Sequence, residues 1–78
     1  MDVKIYILEC ASDRVVARWV EPGGSHYGEQ IWRPRIATRF GVCAYSGKNI
    51  SPGDPIFRPT GRPRPSNATA MILASEVP

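Results

Sequence analysis

Val3, Ile5 and Ile7 alternate along the chain with Lys4, Tyr6 and Leu8, the two-residue period that a β-strand imposes on its side chains. Tyr6 and Leu8 are themselves apolar, so the spacing predicts a strand over Val3–Leu8 with both faces at least partly covered. From Arg14 to Val20 the pattern recurs, with Val15, Ala17 and Trp19 on one side and Val16, Arg18 and Val20 on the other. The polar link Ala11-Ser12-Asp13 is short enough to join the two as a hairpin. Glu21-Pro22-Gly23-Gly24 then breaks the run, because proline presets one turn position and glycine reaches positive φ without steric cost. A third extended segment is expected over Tyr27–Ala37, packing through Tyr27, Ile31 and Trp32. Pro34 lacks a backbone donor, which predicts an edge position or a bend there.

Between Gly41 and Pro59 two turn clusters, Ser46-Gly47-Lys48-Asn49 and Ser51-Pro52-Gly53-Asp54, flank Ile50. Gly47 and Gly53 read as turn residues at positive φ, and Asp54 is placed to hydrogen-bond the backbone of its own turn. Ile56 and Phe57 begin another short strand. The stretch 59–65 is rich in proline and arginine, and Thr60 to Pro65 has neither apolar periodicity nor helix formers, which reads as a polyproline-like loop. Ser66 or Asn67 can cap a helix, expected over 67–76. Its apolar residues Met71, Ile72, Leu73 and Ala74 fall on nearly every face, so the helix either packs on the sheet or is shared with a second copy. The fold class implied is mainly β or small α+β: a curved antiparallel sheet of four to five strands with one short C-terminal helix.

With 78 residues, the chain is expected to form a single domain, 1–78, burying only about 60% of the surface its unfolded form exposes. A hydrophobic content of 42% beside 22% charged residues lies away from the regime of intrinsic disorder. No apolar stretch approaches the roughly 20 residues of a membrane-spanning helix, so no membrane association is expected. Met1-Asp2-Val3-Lys4 lacks the basic and then apolar run of a secretory signal, and the address expected is the cytoplasm. Thiols stay reduced there, and both Cys10 and Cys43 are read as buried small hydrophobes.

The chemistry-bearing residues point away from catalysis. Cys43-Ala44-Tyr45-Ser46-Gly47 has the outline of a zinc knuckle, but such a knuckle needs a second thiolate where Ser46 stands, and a hydroxyl is a poor zinc ligand. Cys10, His26, Cys43 and Asp54 have no spacing that supports a metal site, and no metal or other cofactor is expected. His26, the sole histidine, sits in a turn-like context. Glu9, Asp13, Glu21, Glu29 and Asp54 are scattered without the pairing that acid and base work requires. The protein is therefore read as a binding module and not an enzyme, with no small-molecule substrate inferred.

Positive charge is unevenly placed. Arg33, Arg35, Arg39, Lys48, Arg58, Arg62 and Arg64 face a single acid, Asp54, between Ile31 and Arg64, while the flanking segments are net acidic; the formal +3 of the whole chain conceals a stronger local field. Arginine presents a planar, permanently charged fork that suits phosphate and stacks on bases. Trp32 and Tyr45, with Tyr27 nearby, add aromatic faces, and a basic β-surface with interleaved aromatics suits nucleic acid. Arg33, Arg35, Arg39, Arg58, Arg62 and Arg64 with Trp32 and Tyr45 are thus the candidate DNA- or RNA-binding residues. The alternative is a protein–protein or regulatory module, including a homodimer through the C-terminal helix.

His26-Tyr27-Gly28 followed by Trp32, Gly41-Val42-Cys43-Ala44 with Ser46-Gly47, Ile50, Gly53-Asp54, Phe57-Arg58-Pro59, and Asn67-Ala68 with Ala70-Met71-Ile72-Leu73 together resemble a family of short bacterial proteins known only as a domain of unknown function. The resemblance runs from about Val3 to Ala74. It implies a small self-contained bacterial domain whose shared residues concentrate between Cys43 and Pro59 and at the start of the helix, and it carries no activity over.

Overall fold

The computed structural model describes residues 3–78; Met1 and Asp2, read above with Val3 and Lys4 for a secretory signal, lie outside them. Strand β1 (Lys4–Ala11) and β2 (Arg14–Val20) form the expected hairpin, followed by β3 (His26–Ile36), β4 (Gly41–Val42), β5 (Asn49–Ile50), β6 (Pro55–Pro59) and β7 (Ile72–Leu73). Five of these make a curled antiparallel sheet in the order β1-β2-β3-β6-β7, and β4 pairs with β5 in a separate ribbon. Val15, Ala17, Trp19, Trp32, Phe57 and Ile72 lie in its core, with the Trp19 and Trp32 rings tilted at a centroid distance of 6.0 Å.

Two bulges decide which side chains face inward. Between Ala17 and Trp19 the register with β3 slips, so that Gly28 and Glu29 together oppose Arg18. Tyr27 lies on the core side before the slip, whereas after it the even-numbered residues turn inward, and Gln30 and Trp32 are the buried ones. Ile31, expected to pack, is instead 41% exposed on the outer face, because an added residue inverts the alternation beyond it. A second slip between Ile7 and Glu9 leaves Leu8 without a partner on β2.

Pro34 occupies an interior strand yet breaks no ladder. Backbone bonds from Thr60 N to Ile31 O (3.0 Å) and from Ala37 N to Asp54 O (2.9 Å) fix the hydrogen-bonded pairs of β3 and β6 at Ile31/Thr60, Arg33/Arg58, Arg35/Ile56 and Ala37/Asp54. Alternation then places Pro34, Pro55 and Pro59 in non-hydrogen-bonded pairs. The Pro34 nitrogen points toward β2, and β2 has already begun its turn at that level: the register that joins Val15 to Trp32 leaves Pro34 beyond Arg14. Locally, therefore, Pro34 does sit at an edge.

The helix expected over 67–76 does not form. Ser66–Thr69 is a turn, with Ala68 N bonded to Pro65 O and Ala70 N to Asn67 O; Ile72–Leu73 is strand, and only Ala74–Glu76 makes a short 3₁₀ turn. A helix would direct the carbonyls of this segment to N–H groups four residues on. Here Ala68 O accepts from Arg58 Nη2 (3.1 Å), Thr69 O from Arg39 Nη2 (2.7 Å) and Met71 O from Ala44 N (2.8 Å). Ile72 and Leu73 pair with Phe57 and Ile56. Long-range partners override the local propensity. Met71, Ile72 and Leu73 are all buried within the chain.

The turn around Cys43 keeps the knuckle outline without a second thiolate. Cys43 Sγ accepts from Ser46 N (3.4 Å) and Leu73 N (3.2 Å), and Gly47, at φ 81°, donates its N–H to Cys43 O. Burial pushes the Cys43 thiol up, but hydrogen bonds from Ser46, Leu73 and Tyr45 outweigh it and hold the thiol below its ordinary range. Asp54 Oδ2 accepts from Ser51 N at 2.9 Å across a turn that has Gly53 at φ 99°. Cys10, expected to be buried, is exposed: it lies next to the hairpin turn on the edge strand β1, which has a neighbouring strand on one side only. Among the described residues no histidine, cysteine or carboxylate cluster is arranged to hold a metal, and no helix is long and apolar enough to cross a membrane.

Candidate functional site

Arg33 and Arg35 stand two residues apart on β3, on its outer face, and antiparallel register sets Arg58 of β6 directly opposite Arg33. Like charges opposed across strands destabilise a sheet by about 0.2–1 kcal/mol. The nearest compensation is partial: Arg33 Nη1 reaches Asp13 O at 3.2 Å and Asp13 Oδ2 at 3.7 Å, an exposed contact of small net value. Among the described residues no carboxylate lies within ion-pair distance of Arg35, Arg39, Arg58, Arg62 or Arg64.

The chain after β6 closes these arginines into a concavity. Thr60 is tied to β3 through its N–H and its Oγ1, both donating to Ile31 O. Gly61, at φ 144°, turns the chain away from polyproline geometry. At the other end Ser66 N donates to Tyr27 Oη at 3.0 Å, and the Ser66 side chain bonds Tyr27 and Ser25. Those bonds from Ser66 hold the Tyr27 phenol below its ordinary pKa. Next in sequence, the Asn67 and Gln30 amides pair reciprocally, Gln30 Nε2 to Asn67 Oδ1 and Asn67 Nδ2 to Gln30 Oε1, both at 2.9 Å and both side chains buried.

Between the sheet and this strap lies a cavity of about 220 Å³ lined by Arg33, Arg35, Arg58 and Arg64, with Gly61 and Ala68 among its backbone walls and no acid in its lining. A smaller cavity of about 120 Å³ shares Arg35 and Arg58 and adds Arg39. On the far side of the strap a third, of about 480 Å³, takes Arg62 and shares Arg64. Arg39 and Arg58 each spend one nitrogen on a strap carbonyl, yet a guanidinium carries five N–H donors in a fixed fork. What the arrangement offers is a set of convergent, permanently charged donors for an anion with several oxygens.

All six arginines singled out in the sequence thus line one run of adjoining cavities. The two aromatic residues do not join them. Trp32 is wholly buried, on the face of β3 opposite Arg33, and its Nε1 has no hydrogen-bond partner; it offers no stacking surface. Tyr45 is exposed in the Cys43 turn and lines none of the three cavities. The sequence reading missed Thr60 and the Gln30–Asn67 pair, which hold the strap, and nothing in the spacing of Gln30 and Asn67 signals their meeting.

Among curated proteins and among solved structures nothing matches this chain. Over residues 1–78 the chain matches the model of one family and belongs to it: the family described as Domain of unknown function (DUF3331).

Proposed function

We propose that this protein is a non-enzymatic module that binds nucleic acid through its phosphate backbone. The observation that carries the reading is the cavity formed by Arg33, Arg35, Arg58 and Arg64 with no acid in its lining. Opposed arginines with so little internal compensation are stabilised by an external anion, and a guanidinium fork matches phosphate oxygens in pairs. Arg39 and Arg62 in the adjoining cavities extend the positive field beyond the reach of one phosphate, as a polymer of phosphates requires. Binding of this kind is largely independent of sequence, with dissociation constants of roughly 10⁻⁴–10⁻⁶ M at physiological salt.

The test is fluorescence anisotropy of a labelled oligonucleotide titrated with protein at several salt concentrations. Counterion release makes the logarithm of affinity fall linearly with that of salt, by about 0.7 per phosphate contacted on a single strand and 0.9 on a duplex. Replacing Arg35 and Arg64 together by Gln lowers both affinity and slope while leaving the melting temperature unchanged, since neither side chain makes a hydrogen bond within the described structure. No binding at low salt refutes the proposal.

A protein partner is the second reading. Ile36, Phe40 and Val42 are exposed, Phe40 by 76%, and apolar residues this open within seven positions suit a protein surface.

A further inference from the structure

The three cavities are continuous in their walls. Arg35 and Arg58 are common to the smallest and the central one, and Thr60, Gly61, Arg64 and Pro65 are common to the central and the largest. The two smaller cavities are basic. The largest differs in kind: Ile31, Pro63 and Tyr27 give it apolar and flat walls, while Glu29 and Arg62 bring one group of each sign. Its volume of about 480 Å³ lies within the range of small-molecule sites, roughly 300–1,000 Å³. A carboxylate is a poor neighbour for phosphate but a good acceptor for the amino group of a base.

From this order of cavities we infer that the ligand is single-stranded nucleic acid, held with successive phosphates in the two arginine cavities and one base in the cavity beside Glu29. The inference rests on the phosphate-binding reading above and goes beyond it in naming the strand state and the base pocket. A duplex presents its phosphates on a convex, stiff cylinder and keeps its bases stacked inside; to fill the third cavity it must extrude a nucleotide, at a cost of a few kcal/mol. A single strand has its bases free. A carboxylate such as that of Glu29 accepts hydrogen bonds and donates none. It therefore favours cytosine, adenine or guanine, whose edges carry an exposed amino donor, over thymine or uracil, whose one edge donor, the ring N3–H, is flanked on both sides by carbonyl oxygens that repel a carboxylate. Phosphates alone fix affinity and register and carry no base information, so a base preference separates this inference from simple charge attraction.

The experiment measures binding of oligo-dC, oligo-dT and a mixed-sequence duplex of equal length, at one salt concentration, to the wild-type protein and to Glu29→Ala. Expected are tighter binding of the single strands than of the duplex and a preference for oligo-dC over oligo-dT of roughly tenfold, the scale of one hydrogen bond to a charged group. In Glu29→Ala that preference disappears while oligo-dT binds more tightly than to wild type, because a carboxylate that repels the backbone has gone. A folding defect weakens both ligands together and does not produce this crossing. Duplex bound as well as single strand, or dC and dT bound alike by wild type, overturns the inference and leaves the phosphate-binding reading standing. If none of the three binds at low salt, that reading fails and the inference fails with it.

Discussion

Asn67→Leu tests the joint that fixes the strap to the sheet. The wild-type Asn67 and Gln30 amides exchange two hydrogen bonds of 2.9 Å while only 6% and 5% exposed. Leucine keeps the branched outline of asparagine but leaves the Gln30 amide buried with one donor and one acceptor unmet. Each unmet group costs about 1–3 kcal/mol, so the substitution is expected to cost roughly 2–6 kcal/mol. In a domain of this size each kcal/mol lowers the melting temperature by about 4–8 °C, so the fall is tens of degrees. Gln30→Leu with Asn67→Leu removes both partners, and an apolar pair of similar shape restores most of the loss. Gln30→Leu alone strands the Asn67 amide in the same way and is expected to cost a similar amount. Urea unfolding followed through the fluorescence of Trp19 and Trp32, both in the core, gives the four stabilities. The reasoning is refuted if Asn67→Leu changes stability by less than about 0.5 kcal/mol, or if the double variant loses the sum of the two singles, since groups that share a hydrogen bond are coupled by about 0.5–3 kcal/mol.

Two further outcomes follow from the cysteines. A neutral aromatic disulfide reagent is expected to titrate one thiol quickly in the folded protein and both after unfolding, because Cys10 is exposed and Cys43 is buried; two fast thiols in the native state contradict the packing of Cys43. The knuckle-shaped turn holds through its own hydrogen bonds to Cys43, so a chelator is expected to leave the melting temperature unchanged, and protein purified without added metal to contain well under one zinc per chain. Unfolding by chelator refutes this, as structural zinc contributes directly to folding.

The family of short bacterial proteins that the motifs resemble and the family to which the chain belongs agree at the level of a domain of unknown function. The fold is mainly β, and the function remains the proposal argued above from the arginines.

What the sequence determined by itself is what depends on near neighbours. The alternation in Arg14–Val20 gives β2 with its limits and its buried face of Val15, Ala17 and Trp19. Gly47 and Gly53 adopt the positive φ that their turns require, and Asp54 bonds within its own turn. The concentration of arginine between Arg33 and Arg64 was equally plain. Tertiary structure decided the rest. One bulge opposite Arg18 turned Ile31 outward and Gln30 inward, and the pattern around it reads equally well without that extra residue. The C-terminal segment has helix formers and a capping residue, yet β6 offers Ile72 and Leu73 a ladder while Arg39 and Arg58 take the carbonyls a helix would have used. Composition foretold a basic region but not a concave one. Arg33, Arg58 and Arg64 lie far apart in sequence, and only the pairing of β3 with β6 and the strap anchored at Ser66 and Asn67 turn their charges toward one space.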